Sequence, residues 1–341
     1  MPPVEIALNL NARTAADAVR WASIAQEHGA SRIGVWDSPA VVPDCWTTLG
    51  VVSQHVTATP LGVTVTNPVT RHPVVTASAA ATLAEVAPGG AFLGIGTGDS
   101  GVRNLGGRAS TLAGLGEYVR CVRDLLARGH ARWRGAEVRL DRVPDTPVPV
   151  YVSAHGTRSL ELAAETGDGV IVGLGLSEDV VAGVTATVAR VCDRVGRDPA
   201  DLGLWWNTGS ITVDTDPDRA VAAGGWLVAS LAHHFTLSGT ATKMIPPEHR
   251  AGIERLGAEY DLSRHGRQPV ELRERYLAAA VEFGVWDYLA DRFLVLGTRE
   301  QVRRRLELLR ARGVHRLEVG TGVAGIDGVV PVLDLVRSAG G

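Results

Sequence analysis

The chain is short of cysteine, lysine and long apolar runs, and each shortage closes off a class of protein. Its three cysteines, Cys45, Cys121 and Cys192, are odd in number and far apart, with no CxxC or Cys/His cluster. They read as small buried hydrophobes in a reducing compartment, not as a disulfide framework or a zinc site. One lysine, Lys243, stands among 34 basic residues. Against 37 acidic residues the formal net charge is −3, which leaves no basic face of the kind nucleic acid requires. No run approaches ~18 apolar residues, and the opening MPPVEIALNL has neither the basic start nor the apolar length of an export signal. A cytoplasmic protein with a small-molecule substrate, and with no nucleic-acid or membrane partner, is expected.

What the chain does have is regular alternation. With 341 residues, 45% hydrophobic and 21% charged, it is about twice an ordinary domain. An α/β barrel, however, runs ~250 residues or more as one unit. Short β-branched runs at Val4–Leu10, Arg32–Asp37, Leu61–Asn67, Ala91–Gly98, Val148–Ala154, Gly169–Leu174, Leu204–Val213 and His315–Gly320 predict eight parallel strands. Helical patterns separate them, at Thr14–His28, Pro43–His55, Val74–Ala87, Gly116–Arg128, Arg158–Thr166, Glu178–Val195, Asp216–Leu231, Glu271–Ala290, Thr298–Arg312 and Val323–Ser338. Arg132–Leu140 reads as a hairpin turning at Arg134-Gly135. Eight βα units favour a closed (β/α)8 TIM barrel, one domain over residues 1–341. Residues 235–275, of mixed helix and loop character, then form an insertion where lids and substrate loops usually sit.

Gly96-Thr97-Gly98-Asp99-Ser100-Gly101 fits a dinucleotide-binding pattern, but the context is wrong. That fingerprint needs a tight turn straight into a helix in the first βα unit. Here the glycines follow the fourth strand, and the Gly-rich stretch Arg103–Gly114 comes before any helix pattern. Their expected use is to let the backbone approach a flat ligand closely.

In a barrel, chemistry belongs to polar residues at the C-terminal ends of strands. Those ends carry Asp37-Ser38, Thr64-Val65-Thr66-Asn67, Thr97-Gly98-Asp99, Ser153-Ala154-His155-Gly156-Thr157, Gly173, Asn207 and Glu318. The combination of LGVTVTNPVTRHP (61–73), an Ala-rich helix and FLGIGTGDS (92–100) resembles the luciferase-like superfamily. More closely it resembles the deazaflavin branch, which includes methylenetetrahydromethanopterin reductases, glucose-6-phosphate dehydrogenases and secondary-alcohol dehydrogenases. Trp36-Asp37, YVSAHG (151–156), Gly167-Asp168-Gly169 and LGTREQV (296–302) add to the likeness.

The resemblance implies coenzyme F420 as cofactor, with FMN as the alternative. It implies a non-proline cis peptide at Thr64-Val65, bulging behind the central ring of the cofactor. It places the cofactor phosphate at Ser153–Thr157, where unpaired N–H groups open a helix; an ordinary N-cap by Thr157 is compatible with this. Asp37 matches the family's second-strand Asp near the pyrimidine end. Where several relatives follow it with a His active in proton transfer, this chain has Ser38. Asp99 matches a position often filled by Glu. It is open to two readings, a proton donor of raised pKa or a hydrogen-bonded loop residue. Thr64, Val65, Thr66, Thr97, Gly98 and Gly173 complete the expected cofactor contacts. A homodimer is implied by resemblance alone.

Other residues keep two readings each. His72 starts a helix, and His155 is either a contact of the cofactor tail or structural. His233, His234 and Lys243 border the insertion and would line a substrate mouth or face solvent. Trp46, Trp205, Trp206 and Trp286 would wall a pocket or fill the core. No metal is expected, since the paired His lack a carboxylate at ligand spacing. Three functions compete: F420-dependent hydride transfer to an imine, enone or carbonyl, an FMN-type monooxygenase, and a non-catalytic flavin-binding barrel. Aldolase and glycosidase barrels fit less well, for want of a strand-end Schiff-base lysine or a Glu pair.

Overall fold

A computed structural model of the chain describes residues 4–236, 239–261, 264, 268–322 and 325–339. Reading along the chain, β1 (Glu5–Leu10), α1 (Ala15–Glu27), β2 (Arg32–Val35), α2 (Cys45–Val52), β3 (Leu61–Thr66), α3 (Pro73–Val86) and β4 (Ala91–Ile95) make three and a half βα units. A single helical turn, α4 (Ser100–Arg103), precedes α5 (Leu112–Arg128). The hairpin β5 (His130–Trp133) and β6 (Ala136–Arg139) follows. Then come β7 (Val150–Ala154), α6 (Thr157–Thr166), β8 (Gly169–Val172), α7 (Glu178–Val195) and β9 (Gly203–Thr208).

Beyond β9 the alternation is broken by β10 (Ser210–Val213), α8 (Pro217–Gly224), α9 (Leu227–Thr236), α10 (Pro247–Glu259), α11 (Val270–Glu282), α12 (Trp286–Phe293) and β11 (Leu294–Gly297). Helix α13 (Arg299–Ala311), β12 (Arg316–Gly320) and α14 (Val330–Ala339) end the described chain. Eight strands close into a barrel in the order β1-β2-β3-β4-β7-β8-β9-β12, every pair parallel. These are the eight strands the sequence predicts.

Local chemistry fixes the element ends. Thr14 and Thr111 cap α1 and α5 by accepting from Asp17 N (3.0 Å) and Gly114 N (3.1 Å), each satisfying an otherwise unpaired helix-start N–H. Thr298 and Gln301 form a reciprocal capping box on α13. Apolar side chains of strands and surrounding helices form one core, including Ile33, Leu61, Leu93, Val150 and Val170. A second core is built by α9–α12 around Phe235, Ile253, Leu256, Tyr276 and Phe293. Arg292 joins the two. It has no exposed surface and donates to Leu174 O (2.7 Å), Met244 O (2.8 Å) and Lys243 O (2.5 Å), and to the Tyr288 hydroxyl.

Several predicted elements need correction. The strand Leu204–Val213 is two, because the chain leaves the barrel at Gly209 and β10 pairs instead with β11. Strand β11 has no counterpart in the sequence reading, since its LVLG is too short to show a period. Glu271–Ala290 breaks at Gly284, whose φ of 67° ends the helix, and Asp216–Leu231 breaks at Gly225-Trp226. Residues 100–103 form a helical turn where a loop is expected. Residues 237–238, 262–263 and 265–267 of the predicted insertion, and the predicted helix start at Val323, lie outside the described residues.

Candidate functional site

The C-terminal strand ends open into a cleft made of two continuous cavities, about 270 and 360 Å³, that share Thr97, Gly98, Asp99, Ser153, His155 and His234. The smaller is backed by Trp36, Asp37, Ser38, Thr64 and Val65. The larger runs to the start of α6 and is lined by Gly156, Thr157, Arg158, Arg103 and Lys243. A third cavity, about 710 Å³, lies outside the barrel between α3 and residues 140–146 and takes in no strand-end residue.

The back wall comes from β3. Its register against β4 shifts between Val63 and Thr66, and the Thr64-Val65 peptide is cis, as the resemblance implies. Val65 lies close over β4, where a Cβ on Gly94 would sit 2.9 Å from its side chain. Glycine there is what allows the close approach. Thr66 is fully buried behind this wall and its hydroxyl donates to Asp37 (2.7 Å).

Asp37 is itself buried and ion-paired to Arg71, which also donates to Asp44 at 3.0 Å. Its carboxylate is thus committed to tying the ends of β2 and β3 to the start of α3. Ser38, also buried, donates to Ser100 Oγ at 3.2 Å and has no base beside it in that bond. Burial beside the Asp37 carboxylate pushes the Cys45 thiol far up, so this cysteine stays protonated.

Asp99 corrects an expectation. It pairs with Arg103 (2.8 Å) and His234 (3.6 Å), and the closeness first of His234 and then of Arg103 holds its carboxyl at about 2. The ion pair with Arg103 and the lowered carboxyl favour the hydrogen-bonded loop Asp over a proton donor of raised pKa. His234 packs against His155 with ring centroids 4.6 Å apart. Burial first, then the neighbouring His234 and Lys243, hold the His155 imidazole well below its usual range, so it is neutral.

At the start of α6, Gly156 is the cap residue, not Thr157. Ser159 Oγ accepts from Gly156 N (3.1 Å), and residues 156–159 line the larger cavity. Lys243 is buried, donates to His155 O (2.5 Å) and has its ammonium pKa lowered by burial. Ala154 is fully buried behind the cleft and accepts from Gly173 N at 2.8 Å, so neither residue lines it.

Among the weaker candidates, His72 caps α3 by accepting from Val74 N (3.3 Å), and His233 packs at a tilt against Tyr260. Trp205 packs over buried Arg32 at 3.9 Å inside the barrel, Trp206 is in the core, and Trp46 and Trp286 pack against the two cores. None of the four lines the cleft. Trp36 does, and the sequence reading counted it only as part of the resemblance. Arg71, Arg103 and Arg158 were missed as site residues, because one arginine among many carries no signal until the fold places it. Glu318 is not a mouth residue. It is buried in the barrel, ion-paired to Arg32 and accepting from Asn9 Nδ2 at 3.0 Å. Among the described residues there is no group of three potential ligands that could hold a metal ion.

Fold and site together are a parallel barrel with a strand-end cleft that runs from the Thr64-Val65 wall to Arg103, Arg158 and Lys243 near the start of α6. Comparison with known proteins gives the family. The chain matches the luciferase-like monooxygenase family over residues 3–316 and belongs to it. It is 26% identical over 316 residues to a 5,10-methylenetetrahydromethanopterin reductase of Methanolobus tindarius, covering 89% of each chain. It is 30% identical over 274 residues to the reductase of that name from Archaeoglobus fulgidus, covering 77% of each. The coenzyme F420-dependent tetrahydromethanopterin reductase of Methanopyrus kandleri shares the fold, with a TM-score of 0.73 over 100% of both chains at 18% identity.

Proposed function

We propose that the chain is an oxidoreductase that holds coenzyme F420 in the strand-end cleft and moves a hydride between the deazaflavin C5 and a small organic substrate. The observation that carries this is the continuity of the cleft, from the Val65 wall to Arg103, Arg158 and Lys243 at the start of α6. A flat ring fits the first part. A phosphate and carboxylate tail fits the second, where the helix N-terminus and the cations act on the same charge.

When bound, the deazaflavin supplies the hydride chemistry; the residues of the chain orient it. Val65 and Thr64 would back the ring, Thr97 and Gly98 would hold it in the cleft, and Ser153, Gly156 and Thr157 would hold the phosphate. Asp99 keeps its proton off and pairs with Arg103 and His234 at the edge of the cleft. Ser38 stands where relatives carry His, so proton delivery differs here from theirs. FMN is the alternative occupant, and a non-catalytic barrel the weakest reading. The reading extends to organisation: one domain over 1–341, residues 235–275 as a lid, a homodimer and a cytoplasmic setting. The second apolar core fastened by Arg292 supports the lid, exposed Val51 and Val75 on α2 and α3 support pairing, and three buried free thiols support a reducing compartment.

The test is anaerobic mixing of the enzyme and reduced F420 with enones, imines and carbonyls, following return of the oxidised deazaflavin absorbance. Turnover with at least one class is expected. Turnover only with reduced FMN and oxygen would contradict the proposal.

A further inference from the structure

Beside the cofactor cleft lies another chamber, about 250 Å³, at the C-terminal ends of β1, β9 and β12. Trp36 lines both. The chamber is also lined by Trp226, just before α9, by Tyr260 and by the amide residues Asn9, Asn11 and Asn207. The contrast with the cleft is one of charge. The cleft is lined by Asp99, Arg103, Arg158, His234 and Lys243, whereas no Asp, Glu, Lys, Arg or His is among the described residues that line the chamber.

Asn9 supplies a second observation. It is 7% exposed, and its Nδ2 donates to Glu318 Oε1 at 3.0 Å. A carboxylate only accepts, so this bond fixes which way the amide faces. Its Oδ1 is left with no partner, as is Oγ1 of buried Thr64. Both border the bare Cα of Gly34: a Cβ there would lie 2.8 Å from Asn9 Oδ1 and 2.1 Å from Thr64 Oγ1. Glycine at this position preserves the space around two desolvated polar atoms. Buried polar groups without partners are rare in folded proteins, and a ligand or an ordered water is the usual reason for one.

We infer that this chamber binds the organic substrate and selects an uncharged molecule bearing a hydroxyl or N–H group, with an apolar body between Trp36 and Trp226. A carboxylate or phosphate entering it would lose its hydration with no cation among the described lining residues to replace it. A neutral hydroxyl or amide exchanges water for the Asn207 side chain, while Trp36 and Trp226 cover the apolar part. Sugar phosphates and carboxylic acids are thereby excluded. The inference rests on the reading of the neighbouring cleft as the cofactor site, but binding to the chamber can be measured apart from turnover.

The experiment is saturation-transfer NMR on the full chain, with and without oxidised F420, using cyclohexanol, cyclohexanecarboxylate and glucose 6-phosphate as probes. Cyclohexanol should bind at least about fivefold more tightly than either anion. In Asn207→Lys the order of cyclohexanol and cyclohexanecarboxylate should invert, with unchanged F420 affinity showing that the fold is intact. An anion binding as tightly as the alcohol, no alcohol binding at all, or an order unchanged by Asn207→Lys in the folded protein would each overturn the inference. Loss of F420 binding with the alcohol preference intact would instead sink the cofactor reading and leave this one standing.

Discussion

Asp37 and Asp99 show how one residue type takes two roles from its surroundings. Asp37 is sealed against Arg71 and Thr66, so its removal leaves a largely buried guanidinium with only the more exposed Asp44 as its ionic partner. Asp37→Asn should cost about 3 kcal/mol in chemical denaturation, with weakened cofactor binding as a consequence of the lost fold. If stability were unchanged while the pH profile of turnover lost a limb, Asp37 would be acting chemically instead. Asp99 is half-exposed, and its folded pKa of about 2 lies below its ordinary value of 3.8. A depressed carboxyl stabilises the fold above the unfolded pKa and loses that contribution as pH falls through the folded one. The difference in stability between wild type and Asp99→Asn should therefore be constant near neutrality and shrink between about pH 4 and pH 2. A difference that instead grew on acidification would mean that Asp99 is protonated in the folded state.

Among the elements, the joint between barrel and added helices carries the most consequence per residue. Arg292 holds the backbone of Lys243 and Met244 against the end of β8, and Lys243 in turn holds His155 O. Arg292→Lys keeps a charge but cannot reach three carbonyls in one plane. It should cost about 2–4 kcal/mol through unpaired buried groups and should weaken F420 binding by misplacing Lys243. Denaturation and titration of the same variant check both. Full stability with unaltered affinity would show that the joint is not coupled to the cofactor site. This joint was hidden in the sequence. The barrel strands were legible because runs such as LGVTVT, buried on both faces, repeat eight times with helices between. Strand β11 is four residues long and its partner β10 reads as a continuation of β9, so neither period nor length marks the point where the chain leaves the barrel.

For the molecule as a whole, net charge misleads. The formal charge is −3, yet the fold gathers Arg103, Arg158 and Lys243 around the start of α6. The sequence exposed the YVSAHG loop by its likeness to a phosphate site, and it marked Lys243 as the single lysine. It could not reveal that residues 103, 158 and 243 line one cavity, since they come from three separate parts of the chain. Their shared position predicts that F420 affinity falls with rising salt, and that Arg158→Ala weakens binding by about tenfold, or ~1.4 kcal/mol. Titration at two ionic strengths checks this, and affinity indifferent to both salt and the substitution would place the anionic tail elsewhere. Surface pairs such as Glu300 with Arg303 and Arg304 on α13 are exposed, and their removal should change stability little.

The central claim is that the cleft is shaped for a deazaflavin with a long anionic tail. Fluorescence titration of the purified chain with oxidised F420 and, separately, with FMN tests it most directly. The account predicts tighter binding of F420 by at least about tenfold, because the cations at the start of α6 reach beyond a single phosphate. Equal or tighter binding of FMN would contradict it and move the protein to the flavin monooxygenases of its family.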